Sequence, residues 1–371
     1  MITTFTAAKE NIPFTPALVI DQPAVQRNIQ RLAKYASDHH LKVRPHTKTH
    51  KSRLIAHWQV EAGATGLTFA KVGEMEALQE LSSDLLLAYP AIDSARQSRL
   101  VELAREKTVR VAFDSAEGID RLAAAARAAN VNIGVLVDLD VGHHRTGVGS
   151  PALAVELARR VNQHGPSLQL DGIFFYPGHV WAHPSEQEAT LKEIDEILAE
   201  AIDLFRSDGL STEIVSGGST PTLHQSHLIT TQTEIRPGTY VYNDMNSVHG
   251  GYCSWNDLAA AIVCTVVSTS VTGKAVIDGG SKTLTSDRNI TKPDSGHGFV
   301  LEFPAAKITR LSEEHGELDL SGCEIRPRVG DRVTVIPNHI CPCINLQNQV
   351  WLQQADGSVR PLTVDSRGSL V

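Results

Sequence analysis

Residues 109–140 read VRVAFDSAEGIDRLAAAARAANVNIGVLVDLD, and this stretch decides the fold. Val109–Ser115 is a β-rich run, and Ile133–Asp140 is a second one, nearly all apolar. Between them, Glu117–Asn130 carries its apolar residues at helical spacing. A strand with little polar alternation has both faces covered, as in a parallel sheet flanked by helices. The stretch therefore reads as one strand–helix–strand crossover.

Outward from it the same unit recurs. β-rich runs lie at Ala17–Asp21, Lys42–Lys48, Gly66–Val72 and Asp84–Pro90 before it, and at Leu170–Gly178 and Glu213–Gly218 after it. Helical stretches separate them: Pro23–His39, Gly73–Ser82, Ser94–Glu106, Pro151–His164 and Glu186–Asp208. Eight such runs predict an α/β fold, a (β/α)8 TIM-type barrel over residues 16–245. A dinucleotide-binding sheet would carry GxGxxG after its first strand, and that motif is absent. Beyond residue 245 the pattern changes to strands at Ala259–Ser268, Lys274–Asp278, Gly298–Glu302, Arg332–Ile336 and Gln349–Leu352, with Gly, Asn and Asp turns between them. The expectation is an all-β domain over 246–371, with the first fifteen residues as candidates for one further strand.

Of the 371 residues 42% are hydrophobic and 20% charged, the balance of an ordinary globular protein. A net charge of −8, from 34 basic and 42 acidic residues, argues against nucleic acid as a partner, since phosphate needs a basic stripe. No apolar run is long enough to span a membrane. The opening MITTFTAAKE lacks the basic and apolar regions of a secretory signal, so the cytoplasm is the expected location. Five cysteines, Cys253, Cys264, Cys323, Cys341 and Cys343, make an odd set that does not read as a disulfide framework.

Barrels place chemistry where strands end and loops begin. The second run ends in RPHTKTHK, residues 44–51, where a desolvated lysine flanked by cations would have a lowered pKa and could form a Schiff base. Spacing alone leaves both Lys48 and Lys51 open. The sixth run ends in DLDVGHHRTG with Arg145, the seventh in Tyr176-Pro177-Gly178-His179, and the eighth in Ser216-Gly217-Gly218-Ser219-Thr220, followed by Arg236-Pro237-Gly238-Thr239. Gly-rich turns leaving strands let backbone N–H groups approach a phosphate. His339-Ile340-Cys341 follows a predicted strand, and in an extended chain residues two apart share a face, so imidazole and thiolate would converge on one ion. Cys343 shares that face, but Pro342 disturbs the path and the residue is taken as structural.

Taken together, RPHTKTHKS at 44–52, DxGxHRTGV at 140–148, SGGSTPT at 216–222, RPGTYVYND at 236–244, DGGSKTLTSD at 278–287 and PNHIC at 337–341 resemble the fold-type III pyridoxal-phosphate enzymes. The branch is that of D-serine dehydratase, D-threonine aldolase and D-threo-3-hydroxyaspartate dehydratase, and the likeness runs over nearly the whole chain. The resemblance implies pyridoxal 5'-phosphate on Lys48 and Arg145 at its phenolate oxygen. It further implies Tyr176 beside the ring, and phosphate contacts from Gly218, Ser219, Gly238 and Thr239. Arg236 matches an arginine near the pyridine nitrogen of racemases, and His339 and Cys341 match a divalent metal site, zinc or manganese.

The expected activity is that of a lyase on a D-β-hydroxy amino acid, converting D-serine to pyruvate and ammonia, with D-threonine or 3-hydroxyaspartate as further substrates. The competing reading is retro-aldol cleavage to glycine and an aldehyde. The aldolases of the family carry a carboxylate in place of Cys341, which tilts the choice toward dehydration. A non-catalytic cofactor-binding barrel would lack the β-domain, and racemases and decarboxylases would lack the metal pair. The resemblance also implies a homodimer.

Overall fold

The structure is a computed structural model and describes residues 5–371. The chain forms two compact units. One comprises residues 32–48, 53–238 and 369–371; the other takes the segment up to Arg31 with residues 49–52 and 239–368. Among the described residues no helix is long and apolar enough to cross a membrane.

Strand β1, Ala17–Asp21, is buried along its whole length. It is followed by β2 (Lys42–Val43), β3 (Leu67–Phe69), β4 (Asp84–Leu87), β5 (Thr108–Phe113), β6 (Ile133–Asp138), β7 (Leu168–Phe174), β8 (Ile214–Gly217) and β9 (Glu234–Ile235). Strands β2 to β9 form one parallel sheet in the order β2-β9-β8-β7-β6-β5-β4-β3. A parallel bridge between His46 and Thr68 joins its two ends, and Thr68 N donates to Pro45 O at 3.0 Å. The sheet is thus an eight-stranded parallel barrel of the TIM kind, as the alternation predicts.

The helices earn their places by pattern. In Ala116–Ala129 the buried residues Ile119, Leu122, Ala123 and Ala126 lie on one face, and Asn130 closes the helix in the left-handed conformation at φ 55°. These side chains join a core of Leu, Ile, Val and Phe packed against the strands. A buried leucine such as Leu122 contributes about 2–5 kcal/mol relative to alanine. A smaller cluster, Leu86, Ala112, Leu136 and Phe174, comes from four neighbouring strands.

Two corrections to the strand assignment follow. Ala17–Asp21, read as the first barrel strand, belongs to the other unit. There it pairs antiparallel with β10 (Ala260–Ser268), which aligns Val19 with Ala261. The eighth barrel strand is instead β9, only two residues long and placed after a long loop, too short to register as a run. A fully buried strand shows both faces apolar in either sheet, so periodicity cannot say which sheet it joins.

The second unit continues with β11 (Lys274–Ile277), β12 (Phe299–Val300), β13 (Lys307–Leu311), β14 (Gly316–Asp319), β15 (Arg332–Ile336), β16 (Gln349–Gln353) and β17 (Val359–Thr363). Its sheet runs β13-β14-β11-β10-β1-β16-β17, with β15 paired to β10 and β12. Of the first fifteen residues, Thr6–Asn11 form a helix rather than a strand.

Candidate active site

In the barrel unit the predicted cofactor residues stand on the rim where the strands end. Lys48 lies in the 3-10 turn Thr47–Thr49 that leaves the β2 segment, and its side chain is exposed. The desolvation expected of a reactive lysine falls instead on Lys51, which is 3% exposed. Lys48 therefore stands on its motif and its place on the rim, with an accessible amine.

The loop after β6 is pinned at several points. Leu139 and Val148 form a bridge, Asp140 Oδ1 accepts from the Gly142 and His144 N–H groups at 3.0 Å each, and Asp114 accepts from Gly147 N at 3.1 Å. The loop holds the Arg145 guanidinium 4.9 Å from the Tyr176 ring centroid, while His143 meets the same ring edge-on at 5.2 Å. A cation over an aromatic face is attracted by the ring quadrupole, so Arg145 and Tyr176 stabilise one another's placement.

Gly218 leaves β8 at φ +84°, a conformation that favours glycine, and Ser219 N donates to Thr222 Oγ1 at 3.2 Å in the same turn. Arg236 follows β9 and is buried. Its two terminal nitrogens donate to Ser216 Oγ at 2.6 Å and Phe175 O at 2.8 Å, and its guanidinium stacks 3.7 Å from the Phe174 centroid. Burial lowers its pKa to about 10 against the pull of Glu234 and Asp138, so it stays a cation at neutral pH. Burial likewise lifts Asp138 to about 6; a Thr146 hydrogen bond and the two arginines, Arg236 and Arg145, oppose the rise, and Asp114 adds to it. Gly238 is buried just beyond β9.

The predicted metal pair lies in the β-unit. His339 is extended, at φ −137° and ψ 110°, but Cys341 sits in the first turn of the helix Ile340–Asn345. The extended path assumed for both residues is therefore wrong for Cys341, yet the two side chains hydrogen-bond each other. Pro342 is accommodated because the first turn of a helix needs no N–H donor there. Cys343 is turned to the backbone, its thiol donating to Leu284 O at 3.4 Å and His339 O at 3.3 Å, and burial keeps it protonated.

Each member of the pair favours charge on the other. Burial works against charge on His339, but Cys341, Asp244 and Asp287 together raise its pKa to about 10. Burial likewise opposes charge on Cys341, and His339, Thr239 and Thr49 outweigh it and lower the thiol's pKa. Thr49 Oγ1 lies 3.1 Å and Thr239 Oγ1 3.5 Å from the sulfur. His339 Nδ1 is 2.7 Å from Asp287 Oδ2, which fixes the ring and leaves the other nitrogen for a ligand. Asp244 Oδ2 accepts from Ile340 N at 3.1 Å and anchors the helix start. Among the described residues no group of three His, Cys, Asp or Glu side chains is arranged to hold a metal, so the pair offers two ligands.

Sequence reasoning missed Thr49, Asp287, Asp114 and Asp138. Thr49 and Asp287 lie inside the stretches 44–52 and 278–287, but nothing in their spacing separates them from turn residues. Asp114 and Asp138 are carboxylates at the ends of predicted strands, which was the available signal.

A family model described as alanine racemase, N-terminal domain, matches residues 20–246, more than half of the chain. The chain belongs to the alanine racemase N-terminal domain family. A second model, described as putative serine dehydratase domain, matches residues 259–352. The D-threo-3-hydroxyaspartate dehydratase of Delftia sp. (strain HT23) is 29% identical, covering 93% of this chain and 96% of that protein. The D-threonine aldolase of Arthrobacter sp. is 27% identical over 95% of this chain and 93% of the aldolase. A solved cysteine-to-alanine variant of the hydroxyaspartate dehydratase, in a metal-free form, superposes with a TM-score of 0.88 at 28% identity over 94% of this chain and 97% of that one. A histidine-to-alanine variant of the same enzyme has also been solved, with its substitution two positions earlier. Within the racemase-like family the chain is a fold-type III enzyme of the dehydratase and aldolase branch, and a lyase.

Proposed function

We propose that the chain is a pyridoxal-phosphate- and metal-dependent dehydratase of D-β-hydroxy amino acids, with conversion of D-serine to pyruvate and ammonia as its type reaction. The observation that carries the reading is the meeting of the His339 and Cys341 side chains, the ring held by Asp287 and the sulfur by the Thr49 and Thr239 hydroxyls. The same two residue types, two positions apart, are the ones substituted in the solved variants of the related dehydratase.

The residues fit both groups. A turn with glycine at φ +84°, a buried arginine and a rim arginine over a tyrosine suit a phosphorylated, anionic aromatic cofactor. Lys48 would hold it, Gly218, Ser219 and the backbone of Gly238 and Thr239 would take the phosphate, and Arg145, Tyr176 and Arg236 would flank the ring. The sulfur and imidazole donors suit a borderline-soft divalent ion such as zinc, and with two protein ligands the rest of its shell is left to water and substrate. When bound, pyridoxal phosphate supplies an electron sink for charge at Cα, and the ion supplies Lewis acidity to the β-hydroxyl.

The chain's own residues do the rest. The Lys48 amine takes the α-proton as general base. Asp287 keeps the His339 ring oriented, and the Thr49 and Thr239 hydroxyls hold negative charge on the Cys341 sulfur. Loss of the β-hydroxyl as water leaves an enamine that hydrolyses to the 2-oxo acid and ammonia.

Retro-aldol cleavage is the second reading, favoured by the D-threonine aldolase relative's near-complete coverage. Purified protein, before and after chelator treatment, is given D-serine and D-threonine, and ammonia, 2-oxo acid, glycine and acetaldehyde are assayed. Ammonia with pyruvate or 2-oxobutyrate, lost on chelation and restored by zinc, is the expected result. Glycine with acetaldehyde transfers the chain to the aldolase reading.

A further inference from the structure

Within the barrel unit runs an unbroken line of hydrogen-bonded charges that the chemistry above leaves unused. It begins at Gln169, whose amide donates to Asp171 Oδ1 at 2.9 Å. Arg110 Nε donates to Asp171 Oδ2 at 2.7 Å, and another of its nitrogens donates to Asp84. Arg44 grips both Asp84 oxygens, at 2.6 and 3.2 Å, and through Nε reaches Glu234 Oε2 at 2.8 Å. Ser216 Oγ donates to Glu234 Oε1 at 2.6 Å and accepts from Arg236 at the same distance. The line ends where Arg236 donates to Phe175 O.

Three arginines face three carboxylates along this line, so the buried charge is balanced. The packing is built around it. A Cβ on Gly66 would lie 2.0 Å from an Arg44 nitrogen, and one on Gly134 would lie 2.1 Å from Asp171 Oδ2. Arg236 differs from the other two arginines in meeting two neutral acceptors, a hydroxyl and a carbonyl, with its carboxylate one residue away through Ser216. A hydroxyl has one proton to give. Because Ser216 gives it to Glu234, its lone pairs face Arg236, and the guanidinium plane is fixed by that contact, the Phe175 carbonyl and the Phe174 ring.

We propose that Ser216 and Glu234 are positioning residues of the cofactor site, holding Arg236 at the rim as an oriented cationic donor toward the bound cofactor's pyridine ring. The proposal rests on the reading that Arg236 stands beside that ring. The line of charges then acts on the cofactor's electronics through one hydroxyl, while its remaining members balance charge.

The test uses the holoenzyme and the variants Ser216→Ala, Arg236→Lys, their double variant, and Glu234→Gln, which keeps an acceptor for Ser216 but loses the charge. The readouts are the visible spectrum of bound pyridoxal phosphate against pH, the cofactor dissociation constant by dialysis, and Tm. Ser216→Ala is expected to weaken cofactor binding about tenfold, the effect of one lost charge-assisted hydrogen bond, and to move the midpoint of the spectral titration. Glu234→Gln moves the midpoint in the same sense. In the Arg236→Lys background the Ser216→Ala effect disappears, because the two act as one unit. Wild-type spectra and titrations in Ser216→Ala and Glu234→Gln, whatever their Tm, overturn the proposal, as do additive effects in the double variant. A wild-type protein that takes up no pyridoxal phosphate defeats the cofactor reading itself, a result separate from variants that bind it unchanged.

Discussion

Loading a divalent ion onto His339 and Cys341 requires expelling the proton they share. The pair holds one proton over the range bounded above by the His339 pKa of about 10 and below by the lowered pKa of Cys341. A metal binds the deprotonated imidazole and the thiolate, so each ion taken up releases one proton in that range. Within that range the apparent affinity should therefore rise about tenfold per pH unit, or about 1.4 kcal/mol. The sign is fixed: affinity grows with pH and flattens only above the imidazolium's pKa. Competition for zinc with a chromophoric chelator across this range measures the slope, and calorimetry in buffers of different ionisation enthalpy counts the proton directly. A flat profile just below the imidazolium's pKa of about 10 would show that no shared proton exists and would refute the pairing of the two charges. A slope of two would show a protonated thiol beside the imidazolium.

Other predictions concern the supports of the two units. Asp287→Asn weakens the grip on the His339 ring and should lower metal affinity about 10–100-fold, read by the same chelator competition. Arg44→Met takes the buried cation from Glu234 and leaves Asp84 to Arg110 alone, and should cost about 3–5 kcal/mol in urea unfolding, whereas adding Glu234→Gln should recover part of that loss. A cost below about 1 kcal/mol would mean that the barrel's ionic core relaxes freely. Asp120 is held at a pKa of about 2, first by its hydrogen bonds from Arg160 and then by His164. Because that pKa is depressed, its contribution is present above the ordinary carboxylate range and lost as pH falls through about 2. Asp120→Asn should thus lower stability at pH 7 by about 1 kcal/mol after solvent screening, with the gap closing in acid.

The barrel was legible because a buried parallel strand and an amphipathic helix differ in period, and residues 109–140 show both. What failed was membership. Ala17–Asp21 satisfies the rule for a barrel strand and also the rule for the centre of a β-sheet, and the rule does not name the partner. Glu234–Ile235 is too short for any period, and β13, β14 and β17 are half-exposed strands whose mixed composition hides them. At the site, His339 and Cys341 meet, but through a helix start that adjacency alone does not reveal. Arg110 and Asp171 lie inside predicted strands, and their pairing in the structure makes the barrel interior partly ionic. Which arginine meets which carboxylate depends on barrel closure, and no local pattern encodes that.

The pairing of β1 bears on how the chain is made. Val19 lies beside Ala261 on one side and Trp351 on the other, so the middle of the β-unit's sheet is assembled from segments 242 and 332 residues apart. During synthesis the β1 segment leaves the ribosome early and waits for β10 and then β16, while the parallel strands β3 to β9 emerge in between, each pairing with the strand next to it in sequence. Such distant contacts slow folding, because loop closure must precede any gain from pairing. Nascent chains arrested before residue 349 should therefore carry a protease-resistant barrel and a β1 segment paired on one edge only, cleaved faster than in the finished chain.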